Sequence, residues 1–266
     1  MKFERIVLTQ EREGVYLDAY IADPIKALTR KAILVIPGGG YRGVCSDREG
    51  EPIAMAFLPY GYNAFVLHYT VDKKHTFPTQ LIEATLTIKH IKDHAQEYGI
   101  DPDELFVVGF SAGGHLAACT GVFWKMDELY RAVEMSYGYN KPKGTMLIYP
   151  VINAASHCGS IKNLWATDEP TDEQIAAASI DLHVDADSAP AFILHTANDQ
   201  VVNVNGTLMA AMAYSNAGVP FELHIYPDSP HGVALGNHVT ECGNEKWNRP
   251  AIAEWVRMAA YWADHL

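Results

Sequence analysis

The stretch ELFVVGFSAGGHLAACTGVFW, Glu104–Trp124, decides how the rest of the chain is read. It opens as an apolar run of strand length, ELFVVGF. Glycines then flank one serine in Gly109-Phe110-Ser111-Ala112-Gly113, and a small-residue helix pattern follows. In G-x-S-x-G the serine sits on a sharp strand-to-helix turn, with its hydroxyl projecting past the strand end. The neighbours two before and two after crowd that turn, and glycine alone avoids the clash. The bland reading is a close-packed bend. What lies downstream separates the two readings, because a serine needs a base to become a nucleophile.

The chain has 12 histidines. In sheet-based proteins with this turn the order along the chain is serine, acid, histidine. His231 satisfies that order: it follows the strand-like FELHIYP in the loop DSPHGVALGN. His238 in the same loop is the alternative, while His195 and His224 fall inside strands. For the acid, AFILHTANDQVV presents Asp199 just past a strand. Asp185 and Asp187 lie before that strand, and Asp228 reads as a turn residue. Asp199 would orient the His231 imidazole and stabilise its charged form.

A developing oxyanion needs backbone donors. The N–H of Ala112, at a helix N-terminus, is one candidate. The glycine run Pro37-Gly38-Gly39-Gly40-Tyr41 ends an earlier strand, and Gly39 and Gly40 are the other two. Gly38-x-Gly40-x-x-Gly43 also fits a dinucleotide fingerprint, but no acid stands at the ribose-binding distance, so a nucleotide site is disfavoured. His90 and His94 share a helix face without the glutamate of HExxH, so neither a metal nor another cofactor is expected.

Around these residues, strands and helices alternate. FERIVLTQ (3–10) and VYLDAYIA (15–22) read as strands joined by a turn near Gly14. Further strands are expected at 31–40, 63–71, 104–110, 144–152, 191–197 and 221–227. Helices are expected from Pro78 to Gly99, at 112–124, at 204–217 and at 247–266. The alternation from residue 31 onward implies a single α/β domain over 1–266, with a mostly parallel, doubly wound sheet and an antiparallel N-terminal edge. Residues 153–187 interrupt the rhythm with polar sequence, and this insertion reads as a small lid.

The net charge of −12 disfavours nucleic acid and anionic membrane surfaces as partners. The 4 cysteines, Cys45, Cys119, Cys158 and Cys242, form no CxxC pair. The charged opening MKFERIVLTQEREG carries no apolar leader, so a cytoplasmic protein is the expectation. Apolar faces on the final helix leave an oligomer open.

PGGGYRGVCSDREGEPIA, GFSAGGHLAA, HTANDQVVNV and YPDSPHGVAL together resemble the α/β-hydrolase superfamily over nearly all of 31–266. The similarity is strongest to small bacterial acetyl-xylan and xylo-oligosaccharide esterases, relatives of the hormone-sensitive-lipase branch. That branch carries His-Gly-Gly-Gly where this chain has Pro37-Gly38-Gly39-Gly40. The resemblance implies hydrolysis of a small acyl ester, chiefly acetyl, through Ser111, His231 and Asp199. Tyr41 and Trp165 are the candidate pocket walls. An arylformamidase, a general short-chain carboxylesterase and a peptidase are the alternatives within the fold.

Overall fold

A computed structural model describes residues 1–9, 12, 14–154 and 158–266, excepting the side chain of residue 158. Part of the expected turn near Gly14 and part of the 153–187 insertion therefore lie outside the described residues. Strands β1 (Lys2–Val7), β2 (Tyr16–Ile21), β3 (Arg30–Ile36), β4 (Tyr62–His68), β5 (Ile100–Phe110), β6 (Gly144–Ile148), β7 (Ala191–Thr196) and β8 (Phe221–Tyr226) form one sheet. Their order is β1-β2-β4-β3-β5-β6-β7-β8. β1 pairs antiparallel with β2, and β2 antiparallel with β4. Every pairing from β4 to β8 is parallel, with Val35 opposite Val108 and Gly109 opposite Leu147.

The central strands are apolar at consecutive positions because both faces are covered. Leu34, Ile36, Leu105 and Val107 point into one core, with Leu81 and Ile88 of helix Thr79–Asp93 and Leu116 of helix Ala112–Val122. Ile33, Val35, Phe106, Val108 and Phe110 point into the other, with Trp255 of helix Trp255–Asp264. Parallel pairing carries the strand ends to one edge. Pro37, Ser111, Ala197 and Asp228 each begin or continue a loop there, which is where such sheets bind ligands.

Three features differ from the expectation. The strand expected over 31–40 ends at Ile36, and the glycines after it form turns. The segment after those glycines is helical, as Ser46–Glu49 and Glu51–Phe57 broken at Gly50. The helix expected over 247–266 is split: Trp247 closes a turn, Glu245–Trp247, and Pro250 starts a short helix ahead of Trp255–Asp264. Arg249, at φ −131° and ψ 81°, is the non-helical break. Among its described residues the 153–187 insertion holds helices Cys158–Leu164 and Asp172–Ala177 and the turn Ile180–Leu182. Ile161, Leu164 and Ile180 are buried in the core.

Candidate active site

Ser111 stands between β5 and helix Ala112–Val122 with φ +53° and ψ −117°, a strained geometry for a residue with a Cβ. The surrounding glycines are required by contact. A Cβ on Gly109 would lie 2.2 Å from the Gly113 carbonyl oxygen. One on Gly113 would lie 2.2 Å from the Ile36 oxygen and 2.3 Å from that of Pro37. The turn is also held from both sides, since Ser111 N–H donates to the Ile148 carbonyl and Val151 N–H to that of Ser111.

The loops after β7 and β8 bring Asp199 and His231 to this serine. His231 Nδ1 lies 2.7 Å from Asp199 Oδ2, and His231 Nε2 lies 2.8 Å from Ser111 Oγ. A carboxylate only accepts, so Nδ1 carries the proton and Nε2 is free to accept from the serine hydroxyl. The other Asp199 oxygen accepts the N–H groups of Val201 and Val202 at 2.8 and 3.0 Å. Burial raises the Asp199 pKa, but hydrogen bonds from His195 and His231 and the Val202 N–H outweigh it and hold the acid well below the usual carboxylate range. His195 is fully buried, with Nε2 3.0 Å from the Val202 carbonyl and 3.3 Å from Asp199 Oδ2. Its Nδ1 accepts from Thr207 at 2.7 Å. His238 is exposed, and it is His231 that bonds to both Asp199 and Ser111.

The glycine loop after β3 faces the serine. The Gly38 carbonyl accepts from Cys45 N–H, and the Gly39 carbonyl accepts from Arg42 and Gly43. The Gly40 carbonyl accepts from Asn163 Nδ2 at 2.8 Å. In a trans peptide the N–H points opposite the carbonyl, so tying these carbonyls outward turns the Gly39 and Gly40 N–H groups away from the turn's own bonds. Among the described residues neither N–H has an acceptor. Ala112 is the first residue of its helix, so its N–H has no intrahelical partner.

Tyr41 has φ +56° and is buried, with its hydroxyl 2.7 Å from His115 Nδ1. His115 Nε2 donates to the Ala178 carbonyl at 2.8 Å, so Nδ1 accepts from Tyr41. Trp165 is half-buried; it donates to the Gln174 carbonyl and packs edge-on against Phe77 at 5.6 Å.

Sequence reasoning missed the supports of the histidine loop. Arg48 donates to the Gly232 carbonyl at 2.9 Å, and the Trp247 indole N–H donates to the His231 carbonyl at 3.1 Å. The Arg48 guanidinium stacks 4.2 Å over the Trp247 ring. Glu49 is buried beside them, accepting from Gly38 N–H and from the Tyr149 hydroxyl, each at 2.8 Å. Its place in DREGEP gives no local signal that it is buried.

A serine turn after the fifth strand, with acid and histidine on loops after the seventh and eighth, defines the chain as an α/β hydrolase. Within that class it belongs to the BD-FAE family, whose model matches residues 17–212. It is 35% identical over 213 residues to Endo-1,4-beta-xylanase B of Butyrivibrio fibrisolvens, an alignment covering 78% of this chain and 33% of that protein. It is 29% identical over 217 residues to the acetylxylan esterase of Xylanibacter ruminicola, covering 77% of this chain and 42% of that one. The chain thus spans less than half the length of these curated relatives. The solved structure of an acetyl ester-xyloside bifunctional hydrolase from Caldicellulosiruptor lactoaceticus superposes with a TM-score of 0.81 at 31% identity, covering 98% of this chain and 96% of that one.

Proposed function

We propose that this chain is a serine carboxylesterase that removes short acyl groups, chiefly acetyl, from carbohydrate such as xylo-oligosaccharides. The observation that carries the reading is the unbroken relay Asp199–His231–Ser111, at 2.7 and 2.8 Å, on a strained turn. His231 Nε2 takes the proton as Ser111 Oγ attacks the acyl carbonyl. The N–H groups of Gly39, Gly40 and Ala112 hold the oxyanion. His231 then protonates the leaving alcohol, and water, deprotonated by the same nitrogen, releases the acid.

The carbohydrate part rests on the family and on relatives named for xylan and its acetyl esters. A wall of the site lies beside Gly40, where a Cβ would meet Ser160 Oγ at an ordinary contact distance of 3.8 Å. We assign that wall to the 153–187 insertion, with Trp165 as an anchor of the segment against Phe77 and Tyr41 as a support of the glycine loop. The substrate partner is a small acyl ester. No helix among the described residues is long and apolar enough to cross a membrane.

The test is a panel of acetylated xylo-oligosaccharides and p-nitrophenyl esters of increasing chain length, read as kcat/KM. Acetyl esters should turn over fastest, and Ser111→Ala should lower kcat by at least ~10⁴-fold with the fold intact by circular dichroism. Hydrolysis surviving in that variant, or a peak at long acyl chains, would sink the reading.

A further inference from the structure

A buried acid outside the relay links three of the loops that build the site. Glu49 ends the short helix that follows the glycine loop, and it is 3% exposed. Its Oε2 accepts from Gly38 N–H at 2.8 Å, one residue before the proposed oxyanion donors. Its Oε1 accepts from the Tyr149 hydroxyl at 2.8 Å. The same hydroxyl oxygen accepts from Ala234 N–H at 3.0 Å, three residues past His231. Tyr149 reaches this point from the end of β6 with φ +39°, a backbone conformation that its packing must impose. Its ring meets the His231 ring edge-on at 5.0 Å. One carboxylate therefore fastens the glycine loop directly and the histidine loop through a phenol.

We propose that Glu49 is a positioning residue: it sets the separation of the glycine loop and the histidine loop, and its negative charge stabilises His231 as the imidazolium. The proposal rests on the esterase reading above and deepens it. A buried carboxylate is worth keeping only if its lone pairs are filled and its charge is used. Both oxygens are filled here, by one N–H and one O–H. Burial raises its pKa, and the hydrogen bonds from Tyr149 and Gly38, with the charges of His231 and Arg48, offset only part of that rise, so the acid sits above the usual carboxylate range.

The charged and titratable groups around the pair come from four parts of the chain. Arg48 lies next to Glu49 and stacks on Trp247. Cys45 stands one turn before it, and Tyr69 at the end of β4 donates to the Pro37 carbonyl at 2.8 Å. Tyr149 comes from β6. Asp199, backed by His195, faces His231 from the other side. Asp199 bonds to the imidazole directly, whereas Glu49 reaches it through Tyr149, whose ring meets it edge-on at 5.0 Å.

Glu49→Gln tests the charge with little change of shape. The amide keeps one acceptor but opposes a second donor with N–H groups. The His231 ring is followed by NMR of the folded, substrate-free protein with labelled histidine. Its titration should move to lower pH by about half a unit or more in the variant, because a stabilising negative charge is gone. With p-nitrophenyl acetate, kcat should fall about tenfold or more, KM should stay within about threefold, and the acid limb of the pH–rate profile should move down with the NMR titration. An unshifted His231 titration in a folded variant overturns the charge role. Tyr149→Phe leaves the Gly38 bond in place and cuts the link to Ala234, so it should lower kcat about tenfold even if Glu49→Gln does not fold; wild-type kcat there overturns the positioning role. If wild-type protein fails to hydrolyse acetyl esters, the esterase reading falls, and the NMR titration still reads the coupling of Glu49 to His231.

Discussion

The serine turn and the histidine loop meet at one hydrogen bond, yet they are held in place by different forces. The turn is made by sterics among chain neighbours: Gly109 and Gly113 leave no room for a Cβ, and backbone bonds to Ile148 and Val151 lock the rest. The histidine loop is held by side chains from elsewhere in the chain. Arg48 bonds to Gly232, Trp247 to His231, Tyr149 to Ala234 and Thr196 to the Ser229 carbonyl. Damage to the turn should therefore register as lost folding. Damage to the loop should register as a misplaced His231 in a folded protein.

The sharpest way to break this contrast is a methyl group in the turn. In Gly113→Ala the new Cβ would press on two backbone oxygens of the β3 exit, which cannot rotate away. The expected loss is at least about 3 kcal/mol of stability, measured from the urea midpoint. Gly43→Ala is the matched control, because a Cβ there meets nothing within 4 Å. It should stay within about 0.5 kcal/mol of wild type. Equal stability of the two variants would mean that the turn is not held by sterics.

The serine side also carries one titratable support, and it sharpens the contrast by making that side pH-sensitive. His115 is fully buried on helix Ala112–Val122, between the Tyr41 hydroxyl and the Ala178 carbonyl. Burial lowers its pKa to about 4. Unfolded histidine takes its proton near pH 6.5, about 2.5 units higher. The unfolded chain therefore binds a proton first as pH falls. The stabilisation is complete above about pH 6.5 and is lost progressively down to about 4, on the order of 3 kcal/mol in all. Urea unfolding at pH 7 and pH 4.5 should show the fall, and His115→Gln should flatten it. A variant with the wild-type slope would assign the acid sensitivity elsewhere.

The same division explains what could be read in the chain before its structure. The central strands were legible as apolar runs and the two at the N-terminus from their strand-forming residues around a turn, and the edge at which Ser111, Asp199 and His231 gather follows from parallel pairing. The turn was legible because its requirement falls within five residues, G-x-S-x-G. The loop supports were not, because Arg48 is 184 positions from the carbonyl it bonds and Tyr149 is 100 from Glu49. Nothing local in DREGEP distinguishes a buried acid from a solvated one. Trp247 departs from the pattern in another way: an aromatic just ahead of a strong helical pattern extends the expected helix to residue 247, whereas Pro250 and the non-helical Arg249 start it later.

That tryptophan provides the mildest break of the comparison. Its indole N–H donates to the His231 carbonyl, and its ring carries the Arg48 guanidinium, which in turn holds Gly232. Trp247→Phe keeps a ring for the guanidinium and deletes only the N–H. The loop should stay folded while His231 gains a few tenths of an ångström of freedom against Ser111. Hydrogen bonds of this kind are worth about 1 kcal/mol, and the proposed base, out of register, would transfer protons more slowly. The expected result is a kcat about three- to tenfold lower on p-nitrophenyl acetate, with KM and the urea midpoint near wild type. A variant that instead lost stability with an unchanged kcat would place Trp247 with the steric supports of the serine turn, and the contrast between turn and loop would no longer hold.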